Sequence, residues 1–265
     1  MLSAVSLPAI PVDDVGDPRL ADYRELKEHR LVAGSGRFVA ESERVVRRLV
    51  ESGLGVCSVL LTPARLLTLA DALSGPYPVY VAEQAVLDGI AGFHVHRGCL
   101  AVGERPLAPR LPERPRAVVV LEDLTDVDNL GAMARNAAAF GADALVLSPR
   151  CADPFYRKAI RVALGAVFHL PVIRLERWPE ALKELRARGL SLVAAVVDPS
   201  AIPLHRFVPP ERFALLLGAE GPGLSRAARQ ACDAEVTIPM SPGADSLNVA
   251  TAGAIFLHAL TPPRP

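Results

Sequence analysis

Three stretches of the chain carry residue types that could handle a nucleophile, a cation or a phosphate. In residues 126–142, DVDNLGAMARNAAAFGA, a single long cation, Arg135, stands among Ala132, Ala134, Ala137, Ala138 and Ala139. The alanines predict a thin helix that packs closely, capped by Asp128 or Asn129, with Gly131 allowing close backbone approach. Arg135 there reaches solvent, pairs with an acid such as Asp143, or turns its fork of donors toward a developing negative charge. In residues 215–225, LLLGAEGPGLS, an apolar run stops at Gly218, Gly221 and Gly223 bracket Pro222, and Leu224-Ser225 opens a helix. Such a loop exposes backbone N–H groups to a ligand. It matches neither the dinucleotide glycine fingerprint nor a P-loop, and Glu220 taken alone reads as a solvated loop acid. In residues 238–260, IPMSPGADSLNVATAGAIFLHAL, a strand ends at Met240 and a small-residue helix begins near Ser246. Ser246 is its natural N-cap, and Asn248 is a second polar group in the first turn. Farther along, Ile255, Phe256, Leu257 and Leu260 make an apolar surface suited to a core or a subunit interface.

Metal and thiol chemistry have less support. Cys57, Cys99, Cys151 and Cys232 lie far apart with no Cys-x-x-Cys, which favours neither zinc nor a disulfide scaffold. His94 and His96 alternate on an expected strand, but no carboxylate or cysteine completes a ligand set. No metal is expected.

The elements that must position the three stretches alternate strand and helix. AVVVLEDL (117–124), DALVLS (143–148), HLPVIRL (169–175), LSLVAAVV (190–197), FALLLG (213–218) and AEVTIPM (234–240) are near-continuous apolar runs. Runs of that kind suit strands buried on both faces of a parallel sheet. Helical stretches at 131–141, 154–166, 178–188, 223–231 and 246–260 separate them, predicting an α/β domain with right-handed crossovers. All three chemical stretches follow strand ends, where open α/β sheets bind ligands. Upstream, 17–30 reads as a helix, the glycine turn Gly34-Ser35-Gly36 follows, and Val45, Val46, Leu49 and Val50 form a helical stripe ending at Gly53. VCSVLLT, YPVYVA and GCLAVG are short β-rich runs, with helical pieces near 63–73 and 83–90. Between the two parts, ERPLAPRLPERPR (104–116) holds four prolines and reads as a semi-rigid linker. The expected division is therefore 1–106, a linker at 107–116, and 117–265.

Composition sets outer limits. The 265 residues carry 29 basic and 29 acidic side chains, which excludes a cationic nucleic-acid coat and an acidic tail. An apolar fraction of 51% is enough to build a core, which excludes disorder over most of the length. The amino terminus makes a poor signal peptide and no run approaches a membrane span, so a cytoplasmic protein is expected. Only three cations are lysine, the rest arginine.

Taken together, the three stretches resemble the three motifs of the SpoU, or TrmH-type, RNA ribose methyltransferases of the SPOUT superfamily. The matching residues are Asn129-x-Gly131-Ala132-x3-Arg135-x4-Phe140-Gly141, then Leu217-Gly218-x-Glu220-Gly221-x-Gly223-Leu224-Ser225, then Ile238-Pro239-Met240 with Ser246-Leu247-Asn248-Val249. Their order and separations fit as well, and Pro154, Arg161, Gly165 and Pro171 resemble the segment joining the first two. Ala163 stands where many relatives have serine, though it touches no motif residue. The resemblance is strong over 117–260. It is weaker over the first hundred residues, where GRFVAESERVV looks like the start of a small α/β substrate-binding domain.

The resemblance implies a carboxyl-terminal α/β domain with a parallel sheet and a deep trefoil knot. It implies S-adenosylmethionine bound there by Leu217, Gly218, Glu220, Gly221, Ile238, Met240 and Leu247. It implies methyl transfer to a ribose 2′-hydroxyl of tRNA or rRNA, with Asn129, Arg135, Glu220, Ser246 and Asn248 as catalytic residues. A homodimer formed through the knot helices would let the second subunit help build the site. For RNA contact the best local stretch is Arg150, Tyr156, Arg157, Lys158 and Arg161, where cations interleave with Phe155 and Tyr156; the alternative is a solvated helix face with Phe155 in the core. Net neutrality then requires affinity from few phosphate contacts plus shape, and so a shallow salt dependence. The competing class is a non-catalytic RNA-binding or ribosome-assembly protein that keeps the fold. The five catalytic residues, all present, weigh against it.

Overall fold

The computed structural model describes residues 9–24, 36–95, 97–107 and 109–261. It divides into two compact units. The first comprises the described part of Met1–Leu107 together with Phe155–Phe168, and the second is the remainder.

In the first unit, strands β1 (Ala9–Val12), β2 (Arg37–Glu41), β3 (Val56–Leu61), β4 (Val79–Ala82) and β5 (Cys99–Glu104) form one sheet in the order β1-β4-β3-β5-β2. Helices α1 (Glu43–Glu51), α2 (Pro63–Leu69) and α3 (Gln84–Ala91) connect them. The sheet is mixed: β3 and β4 are parallel, while β5 runs antiparallel to β2 and β3. Leu20, Tyr23, Val39, Leu60, Leu87, Ile90 and Val102 share its core.

Two expectations change here, and one strand is added. Of the helix read over 17–30, the described part is a 3-10 segment at Pro18–Tyr23, broken where Leu20 leaves helical geometry; residues 25–30 lie outside the described residues. Residues 37–41, which run straight into the helical stripe in sequence, are an edge strand fixed by its ladder to β5. His94 is not on a strand, and its Nδ1 lies 2.7 Å from Asp88 Oδ2; His96 lies outside the described residues.

The second unit holds a seven-stranded sheet: β6 (Ala117–Leu121), β7 (Ala144–Leu147), β8 (Val172–Arg174), β9 (Ser191–Ala195), β10 (Ile202–Pro203), β11 (Phe213–Leu217) and β12 (Ala234–Thr237). The order is β10-β12-β9-β11-β6-β7-β8 and every pairing is parallel. Val118, Val120, Ala214 and Leu216 pack in one core cluster with Leu182 and Leu185. The alternate residues Val119, Leu121, Leu215 and Leu217 are buried as well, so both faces are covered, as the continuous apolar runs require. From β6 the chain steps outward through β7 and β8, then returns across the sheet to β9, so the order reverses beside β6 and β11. The helices are α4 (Val127–Ala139), α6 (Leu182–Ala187), α7 (Arg226–Gln230) and α8 (Val249–Leu260), and α8 packs on α4.

The remaining helix, α5 (Arg157–Val162), belongs to the first unit, although the sequence expectation puts it in the domain 117–265. Aromatic packing explains this. Phe155 and Phe168 lie 5.2 and 5.3 Å from Phe38, and the Arg157 guanidinium sits 4.3 Å from the Phe93 ring centre. Arg48 Nη1 donates to Leu164 O at 2.6 Å.

Candidate active site

The carboxyl ends of β9, β11 and β12 surround a cavity of about 740 Å³, within the roughly 300–1,000 Å³ range of small-molecule sites. Its walls come from three chain segments: Ala195–Val197, Leu217–Leu224, and Ile238 and Met240 with Asp245–Val249. Leu217, Gly218, Glu220, Gly221, Ile238, Met240 and Leu247 all line it, with Ser246 and Asn248 beside them.

The loop after β11 folds back on itself through Gly223 N–H, which donates to Ala219 O at 2.9 Å. That turn is possible only because residue 218 has no side chain: a Cβ there would lie 2.1 Å from the carbonyl carbon of Gly223. Leu224 is buried, and Ser225 caps α7 by accepting from Ala228 N–H at 3.2 Å.

At the rim, three polar side chains from three segments meet. Asn129 Nδ2 donates to Glu220 Oε1 at 2.9 Å. Asn248 Nδ2 donates to the same oxygen at 2.9 Å and to Asn129 Oδ1 at 2.7 Å. Glu220 is therefore not the isolated loop acid its segment suggests. Asn248 has a further role, its Oδ1 accepting from Ala250 and Thr251 N–H, so that Asn248, and not Ser246, caps α8. The same correction applies to α4. Its cap is Asp126, which accepts from Asn129 N–H at 2.8 Å, leaving the Asn129 side chain for Glu220. Ser246 is an exposed cavity residue.

Arg135 stands apart from this cluster. It is exposed on α4 and does not line the cavity. Nor does it pair with Asp143, whose carboxylate accepts from Arg116 and Ala117 N–H. Of the cations considered for RNA, Arg150 pairs with Asp123, while Arg157 and Arg161 both reach the buried Glu41. Those contacts tie Arg157 into the first unit, while Arg161 remains about half exposed, its side chain at 47%. Phe155 is in the core; Tyr156 and Lys158 flank Arg157 at the start of α5.

Sequence reasoning missed Ala195–Val197, Arg229 and Asp245 as lining residues. The end of the apolar run 190–197 was a usable signal, because ligands gather where parallel strands end. Arg229 Nη2 donates to Asp198 at 3.0 Å and to Glu235 at 2.5 Å. Hydrogen bonds from Ser200, then from Arg229, hold the Asp198 carboxyl down at about 2. With Arg229 neutralised by two carboxylates, Glu220 and Asp245 leave the cavity with an acidic balance. Burial pushes the thiol of Cys232 up to about 12, which makes it a poor nucleophile.

A parallel sheet with a loop-walled cavity at its switch point and an amide–carboxylate cluster on the rim defines an α/β enzyme that holds a small cofactor. The chain belongs to the SpoU rRNA methylase family, whose model matches residues 116–258. It is 40% identical over 261 residues to an uncharacterized tRNA/rRNA methyltransferase of Mycobacterium bovis, covering 94% of this chain and 91% of that one. It is 28% identical to the 23S rRNA guanosine 2′-O-methyltransferase RlmP of Bacillus subtilis, over 94% and 98% of the two chains. The crystal structure of the SpoU methyltransferase AviRb from Streptomyces viridochromogenes, in complex with AdoMet, superposes with a TM-score of 0.79 at 26% identity, covering 92% and 97%. The chain is an RNA methyltransferase that uses S-adenosylmethionine.

The cavity suits that cofactor. Apolar strand ends and glycine backbone fit an adenosine, and the acidic balance left by Glu220 and Asp245 fits a sulfonium and an ammonium group. Among the described residues no helix is long and apolar enough to cross a membrane, and no cluster of three potential metal ligands occurs.

Proposed function

We propose that the chain methylates a ribose 2′-hydroxyl of tRNA or rRNA, acting in the cytoplasm as a homodimer. The observation that carries the reading is the convergence of Asn129, Glu220 and Asn248 on one rim of a cavity fit for the cofactor. When bound, S-adenosylmethionine supplies an electrophilic methyl on a positively charged sulfur. Leu217, Gly218, Glu220, Gly221, Ile238, Met240 and Leu247 would hold it. Fixing the hydroxyl in line with the methyl accounts for several kcal/mol of the barrier. Asn129, Glu220, Ser246 and Asn248 orient the ribose: both amides donate to Glu220 Oε1, which leaves Oε2 to accept from a sugar hydroxyl.

Arg135 stabilises the developing oxyanion. A guanidinium stays protonated, so it acts by charge and not as a base, and a substrate phosphate takes the proton. Because Arg135 lies off the cavity of its own chain, the reading includes a dimer in which a second copy completes the site. The exposed Ile255 on α8, the helix packed against α4, supplies an apolar contact for it. Membership of the family supports a trefoil knot in this unit. The weaker resemblance of the amino-terminal residues supports RNA binding by the first unit.

The test is transfer of tritiated methyl from S-adenosylmethionine into RNA from a strain lacking the gene, 23S rRNA first, with 2′-O-methyl mapping. Arg135→Ala should lower transfer on the order of 10²–10³-fold with cofactor affinity unchanged. Near-normal transfer by Arg135→Ala would remove that residue from the chemistry. Cofactor binding without incorporation into any RNA would favour the non-catalytic class.

A further inference from the structure

One buried acid touches the cofactor loop at both ends. Glu122 directly follows β6 and is 3% exposed. Its backbone N–H donates to Leu217 O at 2.9 Å, at the residue before the loop's first glycine. Its side-chain Oε2 accepts from Ser225 N–H at 2.7 Å, at the residue after Leu224 closes the loop. The other oxygen, Oε1, accepts from the indole N–H of Trp178 at 2.5 Å. Among the described residues no cation forms a salt bridge with this carboxylate, so the two N–H donors satisfy it. A carboxylate removed from water without a paired cation is costly to retain, and the cost rises sharply if either donor is lost.

We propose that Glu122 is a positioning residue for the cofactor loop: its backbone N–H fixes residue 217 as any residue here would, and its carboxylate grips residue 225, so that 218–224 keeps the shape that walls the cavity. Through the shared carboxylate, Trp178 senses the state of that loop. The inference rests on the cavity binding S-adenosylmethionine. Trp178 is the sole tryptophan of the chain, so its emission reports on the surroundings of this one indole. Glu122→Gln keeps the size of the side chain but offers only one acceptor, so its amide nitrogen must face either Ser225 N–H or the indole.

The experiment titrates S-adenosylmethionine into the full chain and its variants by calorimetry, while following Trp178 emission, thermal melting, and KM against kcat. The parent should bind with a change in emission. Glu122→Gln should weaken cofactor affinity roughly tenfold or more, raise KM for the cofactor, and lose the emission change. Trp178→Phe removes one of the carboxylate's two donors and should melt below the parent, but it leaves the Ser225 contact in place and should keep cofactor affinity within about threefold of the parent. A merely structural role would lower the melting temperature of Glu122→Gln yet leave its affinity, KM and emission response at parental values, and that result overturns the proposal. Should Glu122→Gln not fold, the parent's emission decides: no change on saturation overturns the coupling. A parent that binds no S-adenosylmethionine refutes the cofactor reading itself, an outcome distinct from a parent that binds and a variant that binds equally well.

Discussion

Replacing Gly218 by alanine puts the largest foreseeable strain on the cavity with the smallest chemical change. The new Cβ would lie 2.1 Å from Gly223 C, 2.2 Å from Leu224 N and 2.3 Å from Gly223 O. Ordinary Cβ contact begins at 3.4 Å, so the opposing strands of the loop must part by about 1.3 Å. All three atoms are main chain, so no rotamer change relieves the overlap. If the fold absorbs it, overpacking of this kind costs about 1–3 kcal/mol. If the loop yields, one wall of the cavity moves by about an ångström, a misplacement that can lower turnover on the order of 10²-fold. Gly221 is the control. Its φ of +85° burdens alanine with about 1–2 kcal/mol of backbone strain, but nothing lies within 4 Å of the added atom. Calorimetric titration with S-adenosylmethionine alongside thermal melting separates the two. Gly218→Ala should lose at least tenfold in affinity, while Gly221→Ala stays within severalfold of the parent and melts slightly lower. If Gly218→Ala binds and melts like the parent, the loop is not held by close backbone approach and the reasoning fails.

Two further predictions address the rim and the acid limb of stability. Asn248→Ser keeps an oxygen that can cap α8 but loses both amide donors, so it should melt near the parent and lose most methyl transfer. Asn248→Ala should lose the transfer and also about 1 kcal/mol of stability; equal melting of the two variants would refute the cap. The folded-state value of Asp198, about 2, lies below that of an unfolded aspartate near 4. Its contribution is therefore complete above about pH 4 and vanishes as pH falls through about 2. Asp198→Asn should melt below the parent at neutral pH and converge with it between pH 4 and 2; a gap that stays constant over that range would refute the linkage.

The parallel sheet was legible because its strands are apolar on both faces: Val118 to Leu121 and Ala214 to Leu217 leave no alternation to misread. The cavity residues at 217–221 and 238–247 were legible from their motifs. Capping was less so, because Asp126, Asp128 and Asn129 are all good N-caps and only the engagement of Asn129 with Glu220, 91 positions away, decides among them. Arg229 was hidden in a run of ordinary helix formers, and its meaning depends on Asp198 and Glu235. One short strand was missed for a different reason. Residues 37–41 gain their β structure from the ladder with β5, which local pattern does not contain. The pairing of the cations 157 and 161 with Glu41, more than a hundred residues earlier, is likewise absent from the local sequence.

The membership of Phe155–Phe168 in the first unit means that the chain passes between the units three times, after Leu107, after Pro154 and after Phe168. A protease that nicks the proline-rich connection therefore leaves residues up to 107 held only by their non-covalent packing on Phe155–Phe168. Expressing 108–265 alone would strand Phe155 and Phe168, each 5% exposed here, in water without Phe38. By the same token, exchanging the first unit for another substrate module would require three matched joins instead of one. It would also require a new partner for Arg157 in place of Glu41. A module wired in this way is inherited with its catalytic neighbour and is poorly suited to being shuffled.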